Sequence, residues 1–148
     1  MSIKISYSNS TNKPLGNIVF FVDEKFNIKK IEKYISSFEF SYINDLLKSC
    51  DLKKKIFVFE LNSKRKITLI SIKKNIKSID IENLGAEFYS RINSDKKNEY
   101  FINSDTITSK QGNFISHFLH GLKLKSYVFK KYKSKKNDKV IYIDVLGV

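Results

Sequence analysis

The unbroken apolar run Ile18-Val19-Phe20-Phe21-Val22 most constrains what this chain can fold into. A strand with one wet face alternates apolar and polar side chains, whereas a continuous run has to be covered on both faces. The run is far too short to cross a bilayer, which takes about 20 apolar residues in a helix. Asn17 to Val22 therefore reads as a buried strand. The sheet that holds it needs layers on both sides.

The rest of the chain supplies those layers. Ile3, Ile5 and Tyr7 alternate with polar residues as in a half-buried strand, and Ser8 to Gly16 is loop, broken by Pro14 and Gly16. Ile28, Ile31, Ile35 and Phe38 follow helical spacing, and Tyr42, Ile43, Leu46 and Leu47 suggest a second short helix ending near Cys50. Lys55 to Leu61 and Lys66 to Ile72 are β-rich runs flanking Asn62-Ser63-Lys64-Arg65 and read as a hairpin. Asp80 to Ile92 is helical, with Ile81, Leu84, Phe88 and Ile92 on one stripe. Asn98 to Asn103 is a strand, Ser104 and Asp105 open a turn, and Ser109 is a candidate N-cap. The longest helix runs from about Lys110 to Tyr132, with Phe114, Ile115, Phe118, Leu119, Leu122, Phe129 and Tyr132 on one face. Lys139 to Val145 closes the chain as a strand. Strands alternating with helices define an α/β class with one mixed sheet and helices on both faces. With no internal repeat and no dividing linker, residues 1–148 form one domain. Gly85 and Gly121 fall inside predicted helices, where glycine costs about 1 kcal/mol, so they read as points of close helix–sheet approach.

The formal net charge is +13, and Arg65 and Arg91 are the only arginines. Lysine lacks the bidentate fork that specific phosphate and base recognition uses. The strongest basic feature runs from Gly121 to Lys139, where eight lysines face only Asp138, a net +7 that leaves +6 for the remainder. Tyr127, Phe129 and Tyr132 interleave with these lysines, so Lys123, Lys130, Lys131, Lys133, Lys135 and Lys136 are candidate nucleic-acid contacts. A lysine-rich helix end also suits the helix dipole and keeps a protein soluble. The place of Phe129 and Tyr132 on the apolar stripe favours packing over base stacking.

Elsewhere the search for chemistry returns negatives. His117 and His120 are three apart on the long helix, but no HExxH pattern or acidic neighbour in sequence makes them a metal site. Cys50, the only cysteine, excludes an intrachain disulfide and reads as a small buried residue, not a nucleophile. Asp23-Glu24 and Asp80-x-Glu82 sit at element ends, where turn and helix N-terminal roles explain them. Gly16, Gly85, Gly112, Gly121 and Gly147 are too dispersed for a Walker loop or a dinucleotide fingerprint. The N-terminus has no secretory h-region, so a cytoplasmic domain with no membrane association is expected.

The segment Phe118-Leu119-His120-Gly121-Leu122-Lys123-Leu124, followed by Tyr127-Val128-Phe129 and Tyr132-Lys133, resembles the N-terminal domain of leucyl (cytosol) aminopeptidases. There a helix reads Phe, any residue, Glu, Gly, Leu, then Tyr-x-Phe and Tyr-Lys; here His120 stands in place of the acidic residue. Leu46-Leu47, Ile67-Thr68-Leu69-Ile70 and Leu84-Gly85-Ala86 fall in the same order, and the resemblance spans roughly Asn17 to Val145. It implies a single macro-domain-like, three-layer α/β/α domain with a structural and assembly role. Catalysis would belong to a separate domain that binds two divalent metals, zinc or manganese, and releases N-terminal residues from peptides. That domain's Asn-Thr-Asp-Ala-Glu-Gly-Arg signature is not met by Asn103-Ser104-Asp105-Thr106-Ile107, so no catalytic, cofactor-binding or metal residue is assigned here. Implied partners are that catalytic domain and sister subunits of a hexamer, with nucleic acid as the alternative. The glycine-rich loops with which macro domains proper hold ADP-ribose are missing, so no nucleotide pocket is expected.

Overall fold

Strand β2 (Asn17–Val22) lies inside the sheet, buried along its whole length. In this computed structural model, residues 2–8, 16–51, 53–62, 64–93, 99–107, 113–132 and 140–147 are described; for residues 2 and 129–132 the description covers the backbone only. The other strands are β1 (Ser2–Ser8), β3 (Ile56–Asn62), β4 (Arg65–Ser71), β5 (Glu99–Asn103) and β6 (Val140–Leu146). They form one six-stranded sheet in the order β1-β6-β5-β2-β4-β3. β2 pairs in parallel with β4 on one side and β5 on the other. Every pairing is parallel except the β3–β4 hairpin, in which β3 is an antiparallel edge.

Helices α2 (Ser78–Ile92) and α3 (Phe114–Tyr132) cover one face. Their core joins Val19 and Phe21 of β2 to Ile81, Phe88, Phe118 and Leu122, and to Ile141, Ile143 and Val145 of β6. The other face is covered by a 3₁₀ helix, η1 (Lys29–Tyr34), and by α1 (Ser37–Ser49), which seal Ile18, Phe20, Ile67 and Leu69. The alternating side chains of β2 thus feed two separate cores, as its unbroken run requires. On the second face beyond this cover, Lys4, Ser6 and Tyr142 are exposed.

The sequence pattern over Ile28–Phe38 predicts one helix, and the structure breaks it in two. Ile35 is extended (φ −128°, ψ 165°), ending η1. A capping box then starts α1: the Glu39 N–H donates to Ser36 Oγ (3.1 Å) and the Ser36 N–H donates to Glu39 Oε1 (3.0 Å). The break rotates Phe38 out of the apolar stripe, and it is 79% exposed.

Glu39 has a second task. Arg65, at the start of β4, donates from Nε to Glu39 Oε2 and from Nη2 to Oε1 (3.3 Å), fastening α1 to the hairpin. Burial alone would raise the Glu39 carboxyl. The hydrogen bonds from Arg65 and Ser36 and the Arg65 charge outweigh burial and hold it below its usual 4.5.

Gly85 and Gly121 do mark a close approach, but between two helices, not between helix and sheet. A Cβ on Gly121 would overlap the Glu82 backbone, 2.7 Å from its Cα. A Cβ on Gly85 would lie 2.9 Å from the Phe118 carbonyl carbon and 3.0 Å from Leu122 N. Only two missing side chains allow α2 and α3 to meet backbone to backbone.

Two tests follow from this packing. Gly121→Val should cost about 3 kcal/mol in urea denaturation, whereas the exposed Ser116→Ala should stay within about 0.5 kcal/mol; equal effects would refute the close contact. Glu39→Gln should cost about 1–2 kcal/mol at neutral pH through the cap and the Arg65 bond. Because the folded pKa is depressed, that carboxylate's contribution is complete above the usual 4.5 and is lost as pH falls through the lower folded value. The wild-type advantage over Glu39→Gln should therefore shrink on acidification, and a pH-independent difference would contradict the assignment.

Candidate functional site

Two neighbouring strands whose outgoing connections diverge leave a crevice beyond their carboxyl ends, the usual ligand position in open α/β sheets. Here those strands are β2 and β5. The connection from β2 leads through η1 and α1 toward β3 and β4, while that from β5 leads through α3 to β6.

The crevice is built from short-range polar contacts. After β5 the chain turns through a second 3₁₀ helix, η2 (Ser104–Thr106), whose Asp105 N–H donates to Asn103 Oδ1 (3.0 Å). Thr106 is buried; its hydroxyl donates to the Asn103 carbonyl (2.9 Å) and accepts from the Phe21 N–H (2.9 Å). One hydroxyl thus joins the ends of β2 and β5. The Asn103 amide nitrogen is buried without a partner among the described residues. Ser104 Oγ donates to the Leu146 carbonyl (2.6 Å), and the Gly147 N–H donates to the Ser8 carbonyl (2.8 Å). Gly147 has φ +84°, which disfavours any side chain there, and an added Cβ would displace the Asp105 carboxylate, 2.6 Å away.

Above this floor lies a cleft of about 660 Å³, lined by Lys29, Lys30, Glu32, Lys33, Tyr34, Asp105 and Thr106. Its size is that of a small-molecule site. Lys33 Nζ is 5.1 Å from the Tyr34 ring centroid. Asp23, at the end of β2, accepts from the Lys25 and Asn27 N–H groups (3.1 and 3.0 Å), the turn role its sequence position predicts.

The fold also assembles a charge cluster that no single stretch of sequence displays. Lys25, Lys29, Lys30 and Lys33 follow β2, Lys53, Lys54 and Lys55 precede β3, and Lys73, Lys74 and Lys77 follow β4; all are exposed. Because β3 is antiparallel, its start lies beside the end of β4, so all three groups gather at the carboxyl end of the sheet. Sequence reading by local charge density missed this cluster. The available signal was that each lysine group adjoins the same end of a strand.

Of the candidate nucleic-acid residues, Lys123 is exposed midway along α3. Lys130 and Lys131 belong to its last turns, with side chains outside the description, and Lys133, Lys135 and Lys136 lie outside the described residues, as does Ser109. α3 returns the chain toward the amino end of the sheet, so its lysines lead away from the cluster above. Tyr127 is 64% exposed and is not part of the buried stripe. His120 Nε2 lies 3.6 Å from Glu82 Oε1, an acidic neighbour contributed by α2. Cys50 is half-buried at the C-cap of α1. Among the described residues, no group of three or more His, Cys, Asp or Glu is placed to hold a metal ion. No helix among them is long and apolar enough to cross a membrane.

Comparison with known proteins supports the fold. No family model matches the sequence. No curated protein matches it either. Among solved structures, the chain resembles the macrodomain of Thermus aquaticus DarG, with a TM-score of 0.62 at 10% identity over 98% of this chain and 99% of that one. The architecture is therefore a macrodomain-like three-layer α/β/α fold over nearly the whole length.

Thr106→Val keeps the shape of the side chain and removes its hydroxyl. It should cost about 1–3 kcal/mol, the penalty of leaving the buried Phe21 N–H unbonded. Hydrogen exchange of the Phe21 amide should accelerate with it, and unchanged protection would show that Thr106 does not join the two strands.

Proposed function

We propose that this chain is the non-catalytic N-terminal domain of a leucyl aminopeptidase, acting in assembly and in limiting access to active sites. The observation that carries the reading is the segment from Phe118 to Lys133, with glycine at position 121 between Phe118 and the Tyr127-Val128-Phe129 triplet. The close helix contact gives that glycine a physical reason, and a macrodomain-like fold is what the resemblance implies. In this reading, the two divalent metals and peptide hydrolysis belong to a separate catalytic domain, and the partners are that domain and sister subunits. With Zn²⁺ or Mn²⁺ added, the isolated chain should not hydrolyse a leucine amide; robust turnover would overturn the reading.

A second reading, nucleic-acid binding, is favoured by the exposed Lys123 and Lys125 and by the lysines at the carboxyl end of the sheet. Phosphate contacts release counterions, so an oligonucleotide-binding isotherm should weaken steeply as salt rises. Absence of binding at about 50 mM salt would remove this reading.

A further inference from the structure

A second cavity, of about 270 Å³, opens at the carboxyl end of the sheet on the opposite side of the β2 connection. It is lined by Glu24, Lys53, Lys54, Lys55, Ser71, Lys73, Ile76, Asp80 and Leu84. Its lysines come from the two segments that flank the β3–β4 hairpin. The Ser71 N–H donates to the Lys55 carbonyl (2.8 Å), and the Ile72 N–H donates to the Val22 carbonyl (2.8 Å). The first bond fixes the two lysine-bearing segments side by side, and the second ties the end of β4 to β2.

We infer that this cavity is a binding site for a phosphate monoester carrying a small apolar group. Three observations converge on that chemistry. Four lysines and two carboxylates line the cavity, leaving a net charge of +2. A phosphate monoester near neutral pH carries about −1.5 to −2, which matches. Among the described residues, none of the four lysines is in an ion pair, so their charge is not already spent within the fold. The remaining wall is apolar: Ile76 and Leu84 are buried core residues that reach the cavity. They offer a floor for a hydrocarbon or ring. Lysine supplies movable point charges without a fixed fork, which suits a tetrahedral anion approached from several sides.

Isothermal titration with phenyl phosphate and with inorganic phosphate, at constant ionic strength set by chloride, tests the site. Phenyl phosphate should bind saturably and more tightly than inorganic phosphate, because only it can use Ile76 and Leu84. The Lys54→Gln/Lys73→Gln double variant should weaken it at least about tenfold. Lys29→Gln/Lys33→Gln, in the other cleft, should leave it within about twofold. All these positions are exposed, so both variants should keep the wild-type melting temperature, and calorimetry is interpreted on folded protein. The inference is overturned if phenyl phosphate gives no saturable heat up to about 10 mM, or if the two double variants weaken it equally, which would mark diffuse attraction to a basic surface.

Discussion

The close contact of α2 with α3 at Gly85 and Gly121 sets the geometry on which the principal core depends. Each glycine lies against the backbone of the other helix, so α2 and α3 approach more closely than any pair of side chains would permit. That approach brings aromatic side chains of both helices together over the central strand. Phe21 meets Phe114 and Phe118 edge to face, with ring centroids 5.2 and 5.4 Å apart, and Phe88 lies 5.8 Å from Phe118. Separating the helices would open voids around Phe118, which is fully buried. Glycine's cost of about 1 kcal/mol in each helix is small beside the loss of such packing.

This contact also shows how far local sequence could lead. The strands β1 and β2 and the helices α2 and α3 follow from periodicity, and α1 does so from Tyr42 onward, because burial on one or two faces leaves a repeat of two, of 3.6, or an unbroken run. The two helical glycines were conspicuous for the same reason: they violate propensity and need a cause. Periodicity says which face of a helix is buried but not which neighbour buries it, so helix–sheet and helix–helix approach look alike in sequence. The break at Ile35 was hidden by a different effect. The spacing from Ile28 to Phe38 is helical, but the Ser36–Glu39 capping box restarts the helix and alters its phase. A short side-chain motif overrides the longer pattern, and Phe38 faces outward.

The candidate site was harder to read because it is made by topology. A window slid along the chain finds its highest charge at Gly121–Lys139, where eight lysines crowd one stretch of sequence. The lysines before β3 and after β2 and β4 are dispersed, and only the parallel sheet with its antiparallel edge collects them at one end. Thr106 eluded sequence reading likewise. A threonine after a strand is unremarkable until its hydroxyl is seen to accept the Phe21 N–H across a separation of 85 residues.

The manner in which this carboxyl end would hold an anion follows from its composition. Glycine-rich loops present backbone N–H groups, which are fixed in direction and lose little entropy on binding. This chain has no two glycines close enough to form such a loop, and it offers ammonium groups on flexible four-carbon stems. Those stems must be ordered when a ligand arrives, and their charges are screened while they remain in solvent. A lysine-lined cavity should therefore recognise charge more readily than shape, with selectivity coming from its apolar wall. In the smaller cavity that wall is formed by Ile76 and Leu84, which belong to the same buried cluster as Gly85's contact partners Phe118 and Leu122. The packing that brings α2 against α3 thereby also positions the one surface of that cavity able to discriminate between anions of equal charge.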